Sequence, residues 1–162
     1  MWLFFDLEGF KTDKDDMFWV QEDLTVLDPE GLRSHRREVL LASAFNALAH
    51  CIEGAYSTRH HLLGDALAQT AGRMLCDVLA RPQDVMRDDA LLRLQTGSVF
   101  AGALIKEVYV GMHHALCHAL VSHCGLLHAE ANGAMLPYTV GHNAAALAAR
   151  GDAERLAVTA RT

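Results

Sequence analysis

The feature that most constrains the fold is a helical spacing of apolar residues that runs from Val39 almost to the end of the chain. Apolar positions recur three and four residues apart, as on the buried face of an amphipathic helix. Breaks fall at Pro82, which cannot continue a helix interior, and at Pro137, which predicts a kink or an end. Helices are predicted at 43–54 with Ser43 as its cap, 63–80, 88 or 89 through Gly111 into a histidine-rich segment, 128–140 and 152–160. We therefore predict an all-α domain over residues 38–162.

Residues 1–37 form a mixed and charged lead-in to this domain. The apolar runs 18–20 and 24–27 are candidates for short strands, and the segment 28–31 (DPEG) is typical of a turn. We expect an irregular or strand-bearing segment in front of the helices.

Charge and cysteine usage narrow the functional classes. The net charge of −6 indicates no basic face for nucleic acid or an anionic membrane, and no apolar run approaches the ~20 residues of a membrane helix. Asp6 and Glu8 follow the apolar start at once, so a signal peptide is not expected. The four cysteines never form a C-x-x-C pair. We predict a cytoplasmic protein with reduced cysteines and no nucleic-acid or membrane partner.

Histidines are the unusual feature, because five of the ten lie in one short segment. Asn46 and His50 stand four residues apart, so on a helix they share a face with β-carbons ~5–6 Å apart, and His114 and His118 repeat that arrangement. His128 follows His114 by fourteen residues, which is ~21 Å along a straight helix. Those two side chains can share an ion only if the helix ends soon after His118 and the chain turns back.

Ser122 and Gly125 offer places for such a helix to end. The candidate metal ligands, drawn from three helices, are Asn46, His50, His114 and His128. Imidazole suits iron, zinc and copper alike, so the spacing does not select the metal.

Two further interpretations of the histidines stay open. A helical histidine is more often a half-buried polar residue than a ligand, and we assign to that class His35, His60, His61, His123 and His142. A small zinc site is the second alternative, with candidate ligands Cys117, His118, Cys124 and His128. Thiolates in such sites usually sit about two to four residues apart, which disfavours this alternative.

Two segments resemble the metal-site signatures of the iron-containing alcohol dehydrogenase family. They are residues 44–54 (AFNALAHCIEG) and residues 111–120 (GMHHALCHAL), the latter continuing to 127–130 (LHAE). The double histidine and the LHAE segment are most similar to the maleylacetate reductase branch. Residues 26–29 (VLDP) also resemble the family's interdomain crossover. The resemblance implies the helical C-terminal metal-site domain of a dehydroquinate synthase-like fold, with residues 1–37 as a lead-in or crossover remnant.

Carried over by position, the resemblance implies a metal site and a catalytic residue. His50, His114 and His128 match the family's metal ligands. Asn46 stands where the alcohol dehydrogenases have an aspartate, and His118 matches the histidine that faces nicotinamide and substrate. The implied reaction is the NAD(P)H-dependent reduction of a small molecule, maleylacetate to 3-oxoadipate in the reductase branch. A metal-dependent alcohol dehydrogenase using Fe²⁺ or Zn²⁺ is the alternative within the family.

The chain departs from the family pattern at the site. The amide of Asn46 lacks the negative charge of aspartate, which should weaken the binding of a divalent metal. The reductase branch is similar in having asparagine there. Leu127 and Ala129 replace the usual proline and glycine, so we expect a different return loop.

The sequence contains no G-x-G-x-x-G or G-G-G-S segment. The family's enzymes bind the cofactor pyrophosphate on an N-terminal α/β domain with a glycine-rich loop at a helix N-terminus. We therefore expect a domain that is incomplete at its C-terminus and whose partner is a separate nucleotide-binding domain or a second copy in a homodimer. The isolated chain should show no detectable NADH binding. A catalytically inactive fragment or a metal-binding helical module is the alternative function.

Overall fold

The computed structural model describes residues 25–155 and 157. Its helices are α1 (Pro29–Leu32), α2 (Arg37–Tyr56), α3 (Leu62–Leu79), α4 (Asp88–Glu107), α5 (Met112–Cys124) and α6 (His128–Arg150), with a 3₁₀ turn (Pro82–Asp84) before α4. No strand occurs in the described ranges, so the all-α prediction is confirmed there.

The start of the described chain is helical where strands or a turn were predicted. Residues 25–27 are irregular and Val26 is 74% exposed, so the strand predicted at 24–27 is wrong for these residues. The predicted turn is instead the short helix α1, whose first turn is capped by Asp28, because its Oδ1 accepts the N–H of Glu30 at 2.9 Å. The predicted strand at 18–20 lies outside the described residues, as do four of the nine residues of the predicted helix at 152–160.

Helix boundaries differ from prediction for identifiable reasons. α2 begins at Arg37 with Leu40 already buried, so Ser43 lies inside the helix and does not cap it. α4 ends at Glu107 and does not run through Gly111, because the chain is extended at Val108, as β-branched residues prefer. α6 continues past Pro137, which is exposed, so water can replace the hydrogen bond that proline cannot donate.

An apolar core between α2, α3 and α4 holds one half of the domain together. Its fully buried leucines include Leu32 from α1 and, from the three long helices, Leu40, Leu75, Leu91 and Leu94. Burying a leucine side chain completely contributes about 1.5–3 kcal/mol, so this cluster is the main source of stability. Helix approach is close where Gly54 meets Leu104, since a β-carbon at Gly54 would lie 2.5 Å from that side chain.

The α5–α6 hairpin covers the other side of α2. Gly125 ends α5 in the left-handed conformation (φ 67°), which suits glycine, and His128 begins α6 on the return path. α2 is the described helix that is long and apolar enough to cross a membrane by length and composition. Half of its most apolar 18-residue stretch is buried inside this domain, as expected for a central helix that contacts neighbours on two sides.

Candidate metal and substrate site

The candidate site lies where the C-terminal half of α2 meets the starts of α5 and α6. The turn at Gly125 brings His128 back beside the first helix of the hairpin, with ring centroids 6.3 Å from His114 and 5.0 Å from His118. His50 on α2 stacks on His114 with centroids 4.0 Å apart and planes within 8°. Four histidines from three helices therefore form one continuous cluster.

Exposure changes across this cluster. His114 is buried, His50 and His128 are half-buried, and His118 is exposed. The predicted catalytic residue therefore stands at the solvent side of the cluster, and the predicted ligands lie beneath it. A small molecule entering from solvent would meet His118 before it reached His114.

Three buried polar atoms of this cluster have no hydrogen-bond partner: Asn46 Oδ1, His50 Nδ1 and His114 Nε2. Leaving a buried polar atom unsatisfied costs about 1–3 kcal/mol, so a group of them needs an explanation. Only one further such side-chain atom, Gln95 Oε1, occurs in the part of the chain that the structure describes. The unsatisfied atoms are thus concentrated on three of the four predicted ligands.

Glu53 is a site residue that sequence reasoning missed. Its side chain is 2% exposed, and its Oε2 lies 2.6 Å from Nδ1 of His114. Its Oε1 accepts the backbone N–H of His113 at 2.8 Å and the hydroxyl of Tyr56 at 3.1 Å. The available signal was a single carboxylate in an otherwise apolar helical run, three residues after His50.

Gly111 is required by this carboxylate. A β-carbon at Gly111 would lie 2.7 Å from Oε1 of Glu53, so any other residue would push the carboxylate aside. The N–H of His113, near the start of α5, is one of the groups that a helix leaves unpaired, and Glu53 satisfies it from α2. Glu53 thereby joins two helices as well as orienting a histidine.

The electrostatics of the site place a negative charge on Glu53 and leave His50 uncharged. Burial alone would raise the pKa of Glu53, but hydrogen bonds from His114 and from the backbone of Gly111 and His113 outweigh it and lower the pKa to about 2. Burial, reinforced by neighbouring His114, lowers the pKa of His50 to about 3. At neutral pH the cluster therefore holds an ionised Glu53 and an uncharged His50 whose lone pair is free to bind an electrophile.

His113 is a structural residue and not a candidate ligand. Its Nδ1 lies 2.8 Å from Oγ1 of Thr139, and its Nε2 lies 2.9 Å from Oδ1 of Asn132. Asn132 in turn donates to the carbonyl of His128 at 2.8 Å, which fixes the first turn of α6. Burial lowers the pKa of His113, so it bridges α5 and α6 as a neutral ring.

No zinc site of Cys117, His118, Cys124 and His128 is assembled in the described residues, where Cys117 is buried and Cys124 is exposed. Burial raises the pKa of the Cys117 thiol to about 11, so it stays protonated at neutral pH, and its sulfur lies 3.6 Å from Nε2 of His113.

Among the five histidines assigned to ordinary polar positions, His61 caps α3 by accepting the N–H of Gly64 at 3.2 Å. Its role is therefore local and structural.

The donor atoms are of the types that bind a divalent metal, but the orientation of the histidine rings does not suit metal binding. Imidazole nitrogens and an amide oxygen with no other partner are suitable ligands for Fe²⁺ or Zn²⁺. The parallel rings of His50 and His114, however, do not aim their lone pairs at one point, and no group of three or more His, Cys, Asp or Glu in residues 25–155 and 157 is arranged to hold a metal. Binding would require the ring of His50 to turn.

In the described residues the chain is a helical domain in which histidines from three helices meet beside the reversal at Gly125. Residues 40–161 match the model of the Fe-containing alcohol dehydrogenase family, C-terminal. The chain therefore belongs to the Fe-containing alcohol dehydrogenase family.

Among curated relatives, the chain is similar to maleylacetate reductases. It is 33% identical over 142 residues to that of Sphingobium indicum and 32% identical over 142 residues to maleylacetate reductase 1 of Rhodococcus opacus. Each alignment covers 85% of this chain and 39% of the relative, so the chain spans about two fifths of the length of the proteins it matches.

Solved structures show the same likeness. The maleylacetate reductase of Rhizobium sp. strain MTP-10005 superposes with a TM-score of 0.73 at 25% identity, covering 82% of this chain and 37% of that one. An iron-containing alcohol dehydrogenase from Thermotoga maritima gives a TM-score of 0.64 at 28% identity, covering 70% of this chain and 32% of that one. A sulfoacetaldehyde reductase from Bifidobacterium kashiwanohense, solved in complex with NAD+, gives 0.62 at 27% identity, covering 72% and 31%.

Proposed function

We propose that this chain supplies the metal-site and substrate domain of an NAD(P)H-dependent oxidoreductase of the maleylacetate reductase type, in the cytoplasm. The observation that carries the proposal is the histidine cluster, in which His118 is exposed above the buried pair of His50 and His114. The relatives named maleylacetate reductase match the segment that contains this cluster. The free cysteines of the described residues accord with a reducing compartment.

The proposed reaction reduces maleylacetate to 3-oxoadipate. A nucleotide-binding domain would hold NAD(P)H, which would supply the hydride that reduces the substrate double bond. The addition places negative charge on the conjugated carbonyl oxygen, and a proton must then be added to complete the reduction. His118, exposed and 5.0 Å from the ring of His128, is placed to hold the substrate oxygen or to deliver that proton.

A divalent metal, where bound, would be held by Asn46, His50, His114 and His128. Such an ion would act as a Lewis acid toward the substrate oxygen. The neutral amide of Asn46 makes this ligand set weaker than one with a carboxylate, which favours the reductase over the metal-dependent alcohol dehydrogenase. The substrate is a small molecule in either case.

The proposal is tested by fusing this chain to the N-terminal domain of the Rhizobium reductase. The fusion should oxidise NADH when maleylacetate is added, and His118→Ala should lower kcat by about 10²–10⁴-fold, the usual contribution of a general acid. His142→Ala is the matched control, because His142 is an exposed histidine on α6 outside the cluster, and it should leave kcat unchanged. A fusion that folds and binds NADH but turns over no maleylacetate would refute the proposed reaction.

A second candidate function is a metal-binding helical module without redox activity. The unsatisfied atoms of Asn46, His50 and His114 favour it, since they offer ligands without requiring a cofactor. An inactive fusion whose isolated helical chain binds Zn²⁺ through His114 would support this alternative. NADH titration of the isolated chain should give no fluorescence enhancement under either function.

A further inference from the structure

Glu53 and His114 form a buried contact that no predicted catalytic or ligand role uses. The two side chains are only 2% and 3% exposed, and Oε2 and Nδ1 are 2.6 Å apart. An ionised carboxylate has no proton to donate, so the hydrogen of this contact must be carried by Nδ1. In the neutral ring the other nitrogen, Nε2, then keeps its lone pair.

That other nitrogen is one of the unsatisfied atoms. His114 Nε2 is buried and has no hydrogen-bond partner, although its ring has the stacked His50 on one side and His128 at 6.3 Å. A contact that served only to hold α2 against α5 would gain nothing from leaving this atom unpaired. The arrangement is instead the one by which proteins present an imidazole nitrogen to an electrophile, with a carboxylate behind the opposite nitrogen.

The carboxylate is itself held from three directions. The backbone N–H of His113 and the hydroxyl of Tyr56 both donate to Oε1, and Asn143 on α6 donates to the Tyr56 oxygen at 2.7 Å. Gly111 leaves room for the carboxylate, since a β-carbon there would lie 2.7 Å from Oε1 of Glu53. The position of the Glu53 carboxylate therefore depends on contacts from α2, α5 and α6 together.

We propose that Glu53 is a positioning residue that fixes His114 as the Nδ1–H tautomer and so presents the Nε2 lone pair to a divalent metal ion at the site. The role rests on the proposed function for what Nε2 contacts, but not for which tautomer is present. Tyr56 and Asn143 support Glu53 and have no direct part in orienting His114.

The tautomer is measured by two-bond proton–nitrogen correlation NMR on the chain labelled with ¹⁵N-histidine at neutral pH, without metal. The His114 signals are identified by their loss in His114→Gln. We expect protonated Nδ1 and bare Nε2 in the unmodified chain, and a mixture of tautomers in Glu53→Gln, whose amide can both donate and accept. Tyr56→Phe is the matched control, because it removes one bond to Glu53 but leaves the contact with His114, and it should keep the original tautomer.

The results that overturn the proposal are a protonated Nε2 in the unmodified chain, or an unchanged tautomer in Glu53→Gln. If Glu53→Gln does not fold, Glu53→Asp keeps the charge but shortens its reach, and it should raise the Nε2–H fraction. An unchanged tautomer in that variant would equally contradict the role.

A second readout separates this role from the proposed function. If the unmodified chain binds Co²⁺, Glu53→Gln should bind it about 10- to 100-fold more weakly, as is usual when the carboxylate partner of a ligand histidine is lost. A bare Nε2 in a chain that binds no metal, and whose fusion to the nucleotide-binding domain reduces no maleylacetate, would uphold the positioning role and refute the proposed function. Equal Co²⁺ affinity in both chains would refute the positioning role.

Discussion

The two sides of α2 are stabilised by different interactions. Toward α3 and α4 it buries leucines and alanines in an apolar core. Toward α5 and α6 it meets a polar seam, which we define as the buried side chains Glu53, His113, His114, Asn132 and Thr139 together with the candidate ligands Asn46, His50 and His128. The core is stabilised by every methylene group that it removes from water. In the seam, hydrogen bonds offset the cost of burying polar side chains, and three candidate ligand atoms have no partner. Stability is concentrated on one side of α2 and the candidate chemistry on the other.

The largest effect should come from opening a cavity in the apolar core. Leu94 is fully buried among α2, α3 and α4, so Leu94→Ala should lower the free energy of unfolding by about 2–5 kcal/mol. Urea denaturation measures the change, and the His114 tautomer of the remaining folded protein should stay the same. A loss of less than about 1 kcal/mol, close to that of a surface substitution, would show that the core does not carry the stability.

In the polar seam, removing one hydrogen-bonding ring should cost less. His113→Leu leaves Asn132 and Thr139 without the partners that they have at 2.9 and 2.8 Å. We expect a loss of about 1–3 kcal/mol in urea denaturation, the cost of unsatisfied buried groups. Restoring much of that loss by adding Asn132→Leu would support this account, and equal losses in the single and double variants would not.

Acid should weaken the seam of the metal-free chain and leave the core unaffected. The folded-state pKa is lowered to about 3 for His50 by burial and to about 2 for Glu53 because its hydrogen bonds outweigh its burial. The unfolded chain therefore takes up protons that the folded chain does not. Stability should fall between about pH 6.5 and 3 from His50 and between about 4.5 and 2 from Glu53, by at most about 1.4 kcal/mol per pH unit and group.

Urea denaturation across this pH series, with a metal chelator present, tests the assignment. His50→Leu should flatten the upper part of the window, where Glu53 does not yet titrate. An identical slope above about pH 5 in both chains, where Glu53 contributes little, would assign the acid sensitivity to other groups.

The smallest effect belongs to the exposed charges on the core side. Arg93 lies 3.1 Å from Asp77, and both side chains are 51% exposed. Solvent screens such pairs, so Arg93→Ala should change the free energy of unfolding by about 0–1 kcal/mol in urea denaturation. A larger loss would mean that surface ion pairs add to a stability that we assign to the apolar core.

The helices of the apolar core are also those that the spacing of apolar residues in the sequence predicted. The helix predicted at 63–80 is observed at Leu62–Leu79, because it has a continuous apolar face and a proline after its end. The start of α2 was placed late, since a polar residue such as Ser43 is tolerated inside a helix. The end of α4 was placed late because the helical spacing of apolar residues continues to Val108, where the chain is already extended.

The sequence predicted the candidate ligands of the polar seam but not the residues that hold them in place. Spacing and resemblance singled out Asn46, His50, His114 and His128, and the structure brings these helices together, with their role as ligands still a prediction. Glu53 was missed because a helical carboxylate is normally exposed, and the apolar run around it was the one sign that it is buried. The bridging role of His113 was not predicted, because its partners lie 19 and 26 residues away on another helix.

Three helices bring Asn46, His50, His114 and His128 to one place, where we propose that a divalent ion can bind once the ring of His50 turns. Calorimetric titration of Asn46→Asp with Zn²⁺ tests it most directly, because the added carboxylate supplies the charge that this ligand set lacks. We predict that Asn46→Asp binds one Zn²⁺ more tightly than the unmodified chain and that adding His128→Ala removes the gain. Unchanged affinity in Asn46→Asp, or a gain that survives His128→Ala, would contradict the account.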